Sequence, residues 1–143
     1  MLSNLLRGCA MAAFLLTATV VSAAEPVKEA NQFRAKQILG TKILIQGNKT
    51  SIGTVDDIVF DEAGNLDYLI VENDGKLSTI PWDATKFDVE KKTAIVGITM
   101  DQYKTFPTYT TTTYPTFYAP AYRTETYKYY GITPRELRTC KRR

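Results

Sequence analysis

Histidine is absent from this chain of 143 residues, cysteine occurs twice and tryptophan once. The first absence removes the commonest general base, the commonest zinc ligand and any nucleophile activated by an imidazole. Cys9 lies in the N-terminal apolar stretch and Cys140 near the other end. A chain cut behind Cys9 therefore keeps one thiol and no internal disulfide; that thiol stays free or pairs between molecules. Neither G-x-G-x-x-G nor Walker spacing occurs, which excludes the usual phosphate-cradling loops.

Long apolar runs are also missing. Met1–Ala24 instead has the three parts of a secretory signal: Arg7, the apolar stretch Cys9–Val21, and Ser22-Ala23-Ala24 before Glu25. The stretch falls short of the roughly 20 residues that cross a bilayer. Cleavage near Ala23 or Ala24 is expected, giving a periplasmic or secreted protein with no remaining transmembrane span. The alternative is an uncleaved segment that anchors the body. In both cases Arg7 directs the N-terminus to the cytoplasm and the body outward. Residues 25–33 read as a polar leader with Phe33 as its apolar anchor.

What is present is a series of short β-type runs. Thr54–Phe60, Leu66–Glu72 and Lys76–Trp82 are separated by Asp61-Glu62-Ala63-Gly64-Asn65 and by Asn73-Asp74-Gly75. Both separators have turn chemistry, and Asp-Gly is a signal for a tight hairpin. Ile38–Ile45 has strand composition with a bend at Gly40, and Gly53 lies just inside the next strand. Leu66–Val71 is apolar at nearly every position, as in a strand covered on two faces. Asp83–Phe87 reads as a corner and Thr93–Ile98 as the last strand. Thr99 caps a short helix over Met100–Phe106, ended by Pro107. The pattern predicts a mainly β fold, a small antiparallel barrel of about six strands.

The polar residues of this body have plain structural readings. Asp56 and Asp57, adjacent in a strand, point to opposite faces and do not converge as an acid–base pair; capping a turn or bulge suits them better. Asp61-x-Ala63-x-Asn65 lacks the ligands of a calcium loop. Gly64 serves a turn. Pro81 has no donor and marks an edge or an end. Trp82 is a packing or rim residue, with ligand stacking as the sharper alternative. Asn48-Lys49-Thr50 matches a glycosylation sequon and reads as an ordinary polar loop.

Leu39-Gly40-Thr41-Lys42, Ile52-Gly53-Thr54-Val55-Asp56-Asp57, Asp61-Glu62-Ala63-Gly64 before Tyr68-Leu69-Ile70-Val71, and Ile80-Pro81-Trp82-Asp83-Ala84 together resemble the PRC-barrel pattern. Gly40, Gly53, Asp56, Asp57, Gly64, Pro81 and Trp82 are the positions that match as structural ones. That family shares its fold with the cytoplasmic domain of the photosynthetic reaction-centre H subunit and with the C-terminal domain of a ribosome-maturation factor. The resemblance spans residues 34–107. It departs from the pattern at Asn73-Asp74-Gly75, where many members have a longer glycine-rich loop. It implies a non-catalytic module for docking and assembly, often attached to something else; the residues themselves lead to the expectation of no cofactor and no metal.

Residues 108–143 form a different kind of segment. Eight of the nine tyrosines lie at or beyond Tyr103. From there on, eight Lys/Arg face Glu125 and Glu136, a balance of +6, whereas residues 25–102 hold nine Lys/Arg against thirteen Asp/Glu, a balance of −4. With Pro115 and Pro120 the segment reads as low complexity, partly disordered or lying extended along the barrel. Thr133-Pro134-Arg135-Glu136 is a capping box that predicts a short helix over about 134–141. Tyr114, Tyr118, Tyr122, Arg123, Tyr127, Lys128, Tyr129 and Tyr130 are the candidate interaction residues of this tail.

Export argues against nucleic acid as the partner, although aromatics interleaved with cations would suit single strands. An unidentified protein or an anionic envelope surface fits better. The leading expectation is an exported, non-catalytic binding or assembly module at the cell envelope. The alternative is a self-associating structural component, a homodimer through the barrel or through Cys140. An enzyme built on carboxylates ranks below both.

Overall fold

A computed structural model describes residues 32–47 and 50–139. The signal segment, most of the leader, the sequon's Asn48 and Lys49, and Cys140 with the last three cations lie outside the described residues.

The chain opens with one helical turn, α1 (Ala35–Ile38), in which the Arg34 amide donates to Gln37 Oε1 at 3.0 Å. Six strands follow: β1 (Lys42–Ile45), β2 (Ser51–Phe60), β3 (Leu66–Asn73), β4 (Lys76–Pro81), β5 (Thr85–Asp88) and β6 (Thr93–Val96). They form one sheet in the order β4-β3-β2-β1-β6-β5. All neighbours are antiparallel except β1 and β6, which run parallel. The expected mainly β, six-stranded class is therefore present, with this one parallel seam. Among the described residues the sheet does not close by a hydrogen-bonded ladder. Its two edge strands, β4 and β5, are consecutive in sequence and joined by a single 3-10 turn, Trp82–Ala84.

Local chemistry explains the turns. Asn73 pairs with Lys76, so Asp74 and Gly75 alone make the β3–β4 loop. Their φ values of 53° and 74° are those of the hairpin turn whose twist matches its strands. In the β2–β3 turn, Asp61 Oδ1 accepts the amides of Ala63 and Asn65 at 2.9 and 2.8 Å.

Gly53 marks a close approach of β2 to β3. Its φ is 135°, and a Cβ placed there would meet the Glu72 carbonyl oxygen at 2.4 Å. No other residue type fits.

The expected corner at 83–87 contains a strand. The 3-10 turn covers its first half, and Thr85–Asp88 then pairs with β6. The expected strand Ile38–Ile45 begins later, because its first residues complete α1. Thr99 caps α2 (Met100–Lys104) as predicted: Thr99 Oγ1 accepts from the Gln102 amide, and Gln102 Oε1 accepts from the Thr99 amide.

The core lies inside the curl of the sheet. Ile43, Ile45, Val55, Leu69, Val71, Ile80, Ala94 and Val96 fill it, and Phe106 and Tyr130 close one end. No helix among the described residues is long and apolar enough to cross a membrane.

The tail departs most from expectation. Its helix is α3 (Pro120–Tyr129), and residues 132–139 are irregular. Pro120 does not interrupt this helix but begins it, since a first-turn residue needs no amide donor. The capping box at Thr133–Glu136 yields no helix because tertiary bonds hold that stretch extended. The Arg135 guanidinium donates to the Leu66 carbonyl, and the Arg138 amide donates to Asn65 Oδ1 at 2.9 Å.

Candidate functional site

Three features stand out on this framework: a tail fastened to the sheet, a buried ionic cluster that fastens it, and an apolar groove that the tail leaves open.

Most of the tail tyrosines face inward. Tyr118 donates to the Asn65 carbonyl at 2.6 Å, Tyr122 to Thr79 Oγ1 at 2.8 Å, and Tyr130 to the Thr79 carbonyl at 2.9 Å. Phe117, Tyr118, Tyr122 and Tyr127 ring Tyr68 of β3 at centroid separations of 6.0 to 6.2 Å. This explains why Tyr68–Val71 of β3 is apolar on both faces: the core takes one side and the tail the other. Burial raises Tyr118 to about 12 and pushes Tyr68, Tyr109, Tyr127 and Tyr130 up as well. Of the tail residues singled out from sequence, Tyr114 and Lys128 remain exposed. Tyr129 is partly buried and donates to Glu125 at 3.0 Å.

Asp67 has no exposed surface. Its carboxylate accepts Arg123 Nε at 2.7 Å and the Tyr127 hydroxyl at 2.7 Å, and Arg135 Nε lies 3.9 Å away. Arg123 also stacks over the Tyr127 ring at 5.2 Å. A buried carboxylate is tolerated only when paired and hydrogen-bonded, and the tail supplies each of these partners. The cluster therefore makes sheet and tail one unit. Nothing in the sequence singled out Asp67, whose partners lie 56 and 60 positions away.

The groove lies between α1 and the β2–β3 turn. Phe33, Ala35, Ile38, Ile58, Phe60, Gly64, Leu66 and Trp82 line about 380 Å³. Phe60 is 67% exposed and Phe33 43%. Phe33 meets Trp82 edge-on at 6.0 Å, and Trp82 in turn packs on Phe87 at 4.9 Å. Trp82 therefore lines the groove while packing on Phe33 and Phe87. A second hollow of about 350 Å³ shares Gly64, Leu66 and Trp82 with the first and adds Asn65, Arg135, Glu136 and Arg138. The two hollows adjoin at these shared residues, the first lined by apolar side chains and the second by ionic ones as well. A separate hollow beside β5 and β6, lined by Asp83, Lys86, Ile95 and Tyr130 among others, mixes both charge signs.

The remaining sequence candidates keep structural places. Asp56 is the extra residue of a β-bulge between Val55 and Asp57, and both carboxylates are exposed. Asp57 Oδ1 accepts the Ile58 amide at 2.7 Å. Gly40 joins α1 to β1 and donates to the Val55 carbonyl at 2.8 Å. Gly64 lies in the β2–β3 turn, and Pro81 ends edge strand β4. The Asn65 amide, with help from backbone amides, holds Asp61 below the ordinary carboxyl range. Among the described residues no group of three His, Cys, Asp or Glu could hold a metal ion. The groove residues Ile58, Phe60 and Leu66 had no sequence signal beyond ordinary strand composition.

The PRC-barrel domain family profile matches residues 30–102, just over half of the chain. Among solved structures that match is a 16S ribosomal RNA processing protein, RimM, from Pseudomonas aeruginosa. It is 19% identical over 54% of this chain, with a TM-score of 0.40, and the match spans only 50% of that chain's length. No curated protein matches.

Proposed function

We propose that this chain, which belongs to the PRC-barrel domain family, is an exported, non-catalytic binding module of the cell envelope. Its contact site is the groove between α1 and the β2–β3 turn. The single observation behind this reading is the open apolar groove, rimmed by Phe33, Phe60 and Trp82. Exposed large apolar side chains gathered in one concavity mark binding sites more often than scattered ones do. The tail serves as a fixed wall of the module, because most of its aromatic and ionic groups are engaged by the sheet. Export rests on the signal-like Met1–Ala24.

A photo-crosslinking residue placed at position 60 tests the reading in the producing cells. Adducts are expected from position 60 and not from the exposed position 128, in a fraction outside the cytoplasm. The mature N-terminus is expected at or near Glu25. An intact Met1 form confined to the cytosol, or equal adducts at both positions, overturns it.

Self-association is a second reading. β5 favours it, since its outer edge has no ladder partner among the described residues. Sedimentation with and without reductant distinguishes an edge-mediated dimer from one linked through Cys140.

A further inference from the structure

We infer that the groove takes a single-chain amphiphile with a carboxylate head, its chain lying along Phe33, Ile58 and Phe60 and its head on Arg138. This inference rests on the groove being the binding site, and adds the class of ligand.

The shape sets the first condition. The apolar end, about 380 Å³, has room for on the order of a dozen water-sized or methylene-sized groups. It offers no charged side chain to a ligand. A polar ligand body would lose its hydration there without replacement bonds, whereas an alkyl chain gains from leaving water.

The adjoining end sets the second condition. Two arginines and one glutamate line it, and the Asp61 carboxylate interacts with Arg138 through space. Arg135 is already committed: it donates to the Leu66 carbonyl and lies 3.8 Å from Asp83 and 3.9 Å from Asp67. Arg138 differs. Its guanidinium donates once, to the Gly64 carbonyl at 2.9 Å, and forms no ion pair among the described residues. Its backbone is fixed independently, through two hydrogen bonds with the buried Asn65 side chain at 2.8 and 2.9 Å. An anchored guanidinium with donors to spare suits a carboxylate, which its planar fork can bind through two parallel bonds. Trp82, shared by both ends, marks where chain meets head.

Trp82 is the sole tryptophan of the sequence, so its emission reports the groove directly. The full chain is titrated at neutral pH with three amphiphiles of equal twelve-carbon chain, below their self-association thresholds: dodecanoate, a neutral dodecyl glycoside and dodecyltrimethylammonium. Saturable one-to-one binding of dodecanoate, about tenfold tighter than the neutral compound, is expected from hydrogen bonds to a charged head. Arg138→Gln should bring dodecanoate to the level of the glycoside and leave the glycoside unchanged, while Arg138→Lys retains part of the preference. Equal binding of all three compounds overturns the carboxylate assignment while leaving the groove as a binding site. No change in Trp82 emission with any of them, in a chain shown to be folded, removes the groove reading as well.

Discussion

Arg123 Nε lies 2.7 Å from Asp67 Oδ2, an ion pair that joins the tail helix to the third strand in a site where the carboxylate has no contact with water. Removing only the cation leaves a buried charge with Tyr127 and a distant Arg135 as partners. Arg123→Ala is therefore expected to cost about 3–5 kcal/mol in urea unfolding. Asp67→Asn combined with Arg123→Met removes both charges and should recover most of that loss, because paired buried ions add little over neutral packing.

Gly53→Ala probes the close approach of β2 to β3. The positive φ alone costs about 1–3 kcal/mol for a residue with a side chain. The contact of 2.4 Å with the Glu72 carbonyl adds to it, since backbone cannot swing aside. A lowered denaturation midpoint with unchanged slope is expected. Gly47→Ala is a useful comparison, because a Cβ there meets nothing within 4 Å.

Alkali should release the tail. Burial raises Tyr118 from 10.0 to about 12, and Tyr109, Tyr127 and Tyr130 shift in the same direction. A raised pKa means that the folded chain keeps a proton which the unfolded chain gives up. The associated stability is whole below pH 10 and falls as pH rises toward 12 for Tyr118, and beyond for the others. Tyrosinate absorbance followed together with near-ultraviolet circular dichroism should show these phenols ionising cooperatively as the tail detaches.

Truncation after Pro107 tests whether the family-matching region stands alone. The cut removes every partner of Asp67 and uncovers Tyr68, Ile70 and Leu77, all buried in the intact chain. Association or insolubility is expected by light scattering, in contrast to the intact chain. A monomeric, cooperatively unfolding truncation would show that the tail is dispensable for folding.

The sheet was legible in sequence wherever its chemistry is local. Asp74-Gly75 announced the hairpin, Asp61 and Asn65 the preceding turn, Thr99 the α2 cap, and Pro81 an edge. Strand β5 was hidden because four residues immediately after a turn offer too little alternation to separate from a corner. The position of the tail helix was misread for a different reason. Its prolines and threonines are poor helix formers, yet Pro120 starts a helix whose stability comes from Arg123 and Tyr127 reaching Asp67. Conversely, the local capping signal at Thr133–Glu136 lost to long-range bonds from Arg135 and Arg138. The groove was invisible for the same reason: Phe33, Ile58 and Trp82 meet only once the fold has formed.

The outer rim of β4 is already taken. The Leu77 amide and carbonyl exchange hydrogen bonds with Tyr109 at 2.8 and 3.0 Å, Tyr130 occupies the Thr79 carbonyl, and Pro81 has no donor to offer. Growth of an endless cross-strand filament requires two open rims per molecule, and among the described residues only the four-residue β5 remains. An assembly built by adding strand to strand through these described edges therefore stops at a symmetric pair.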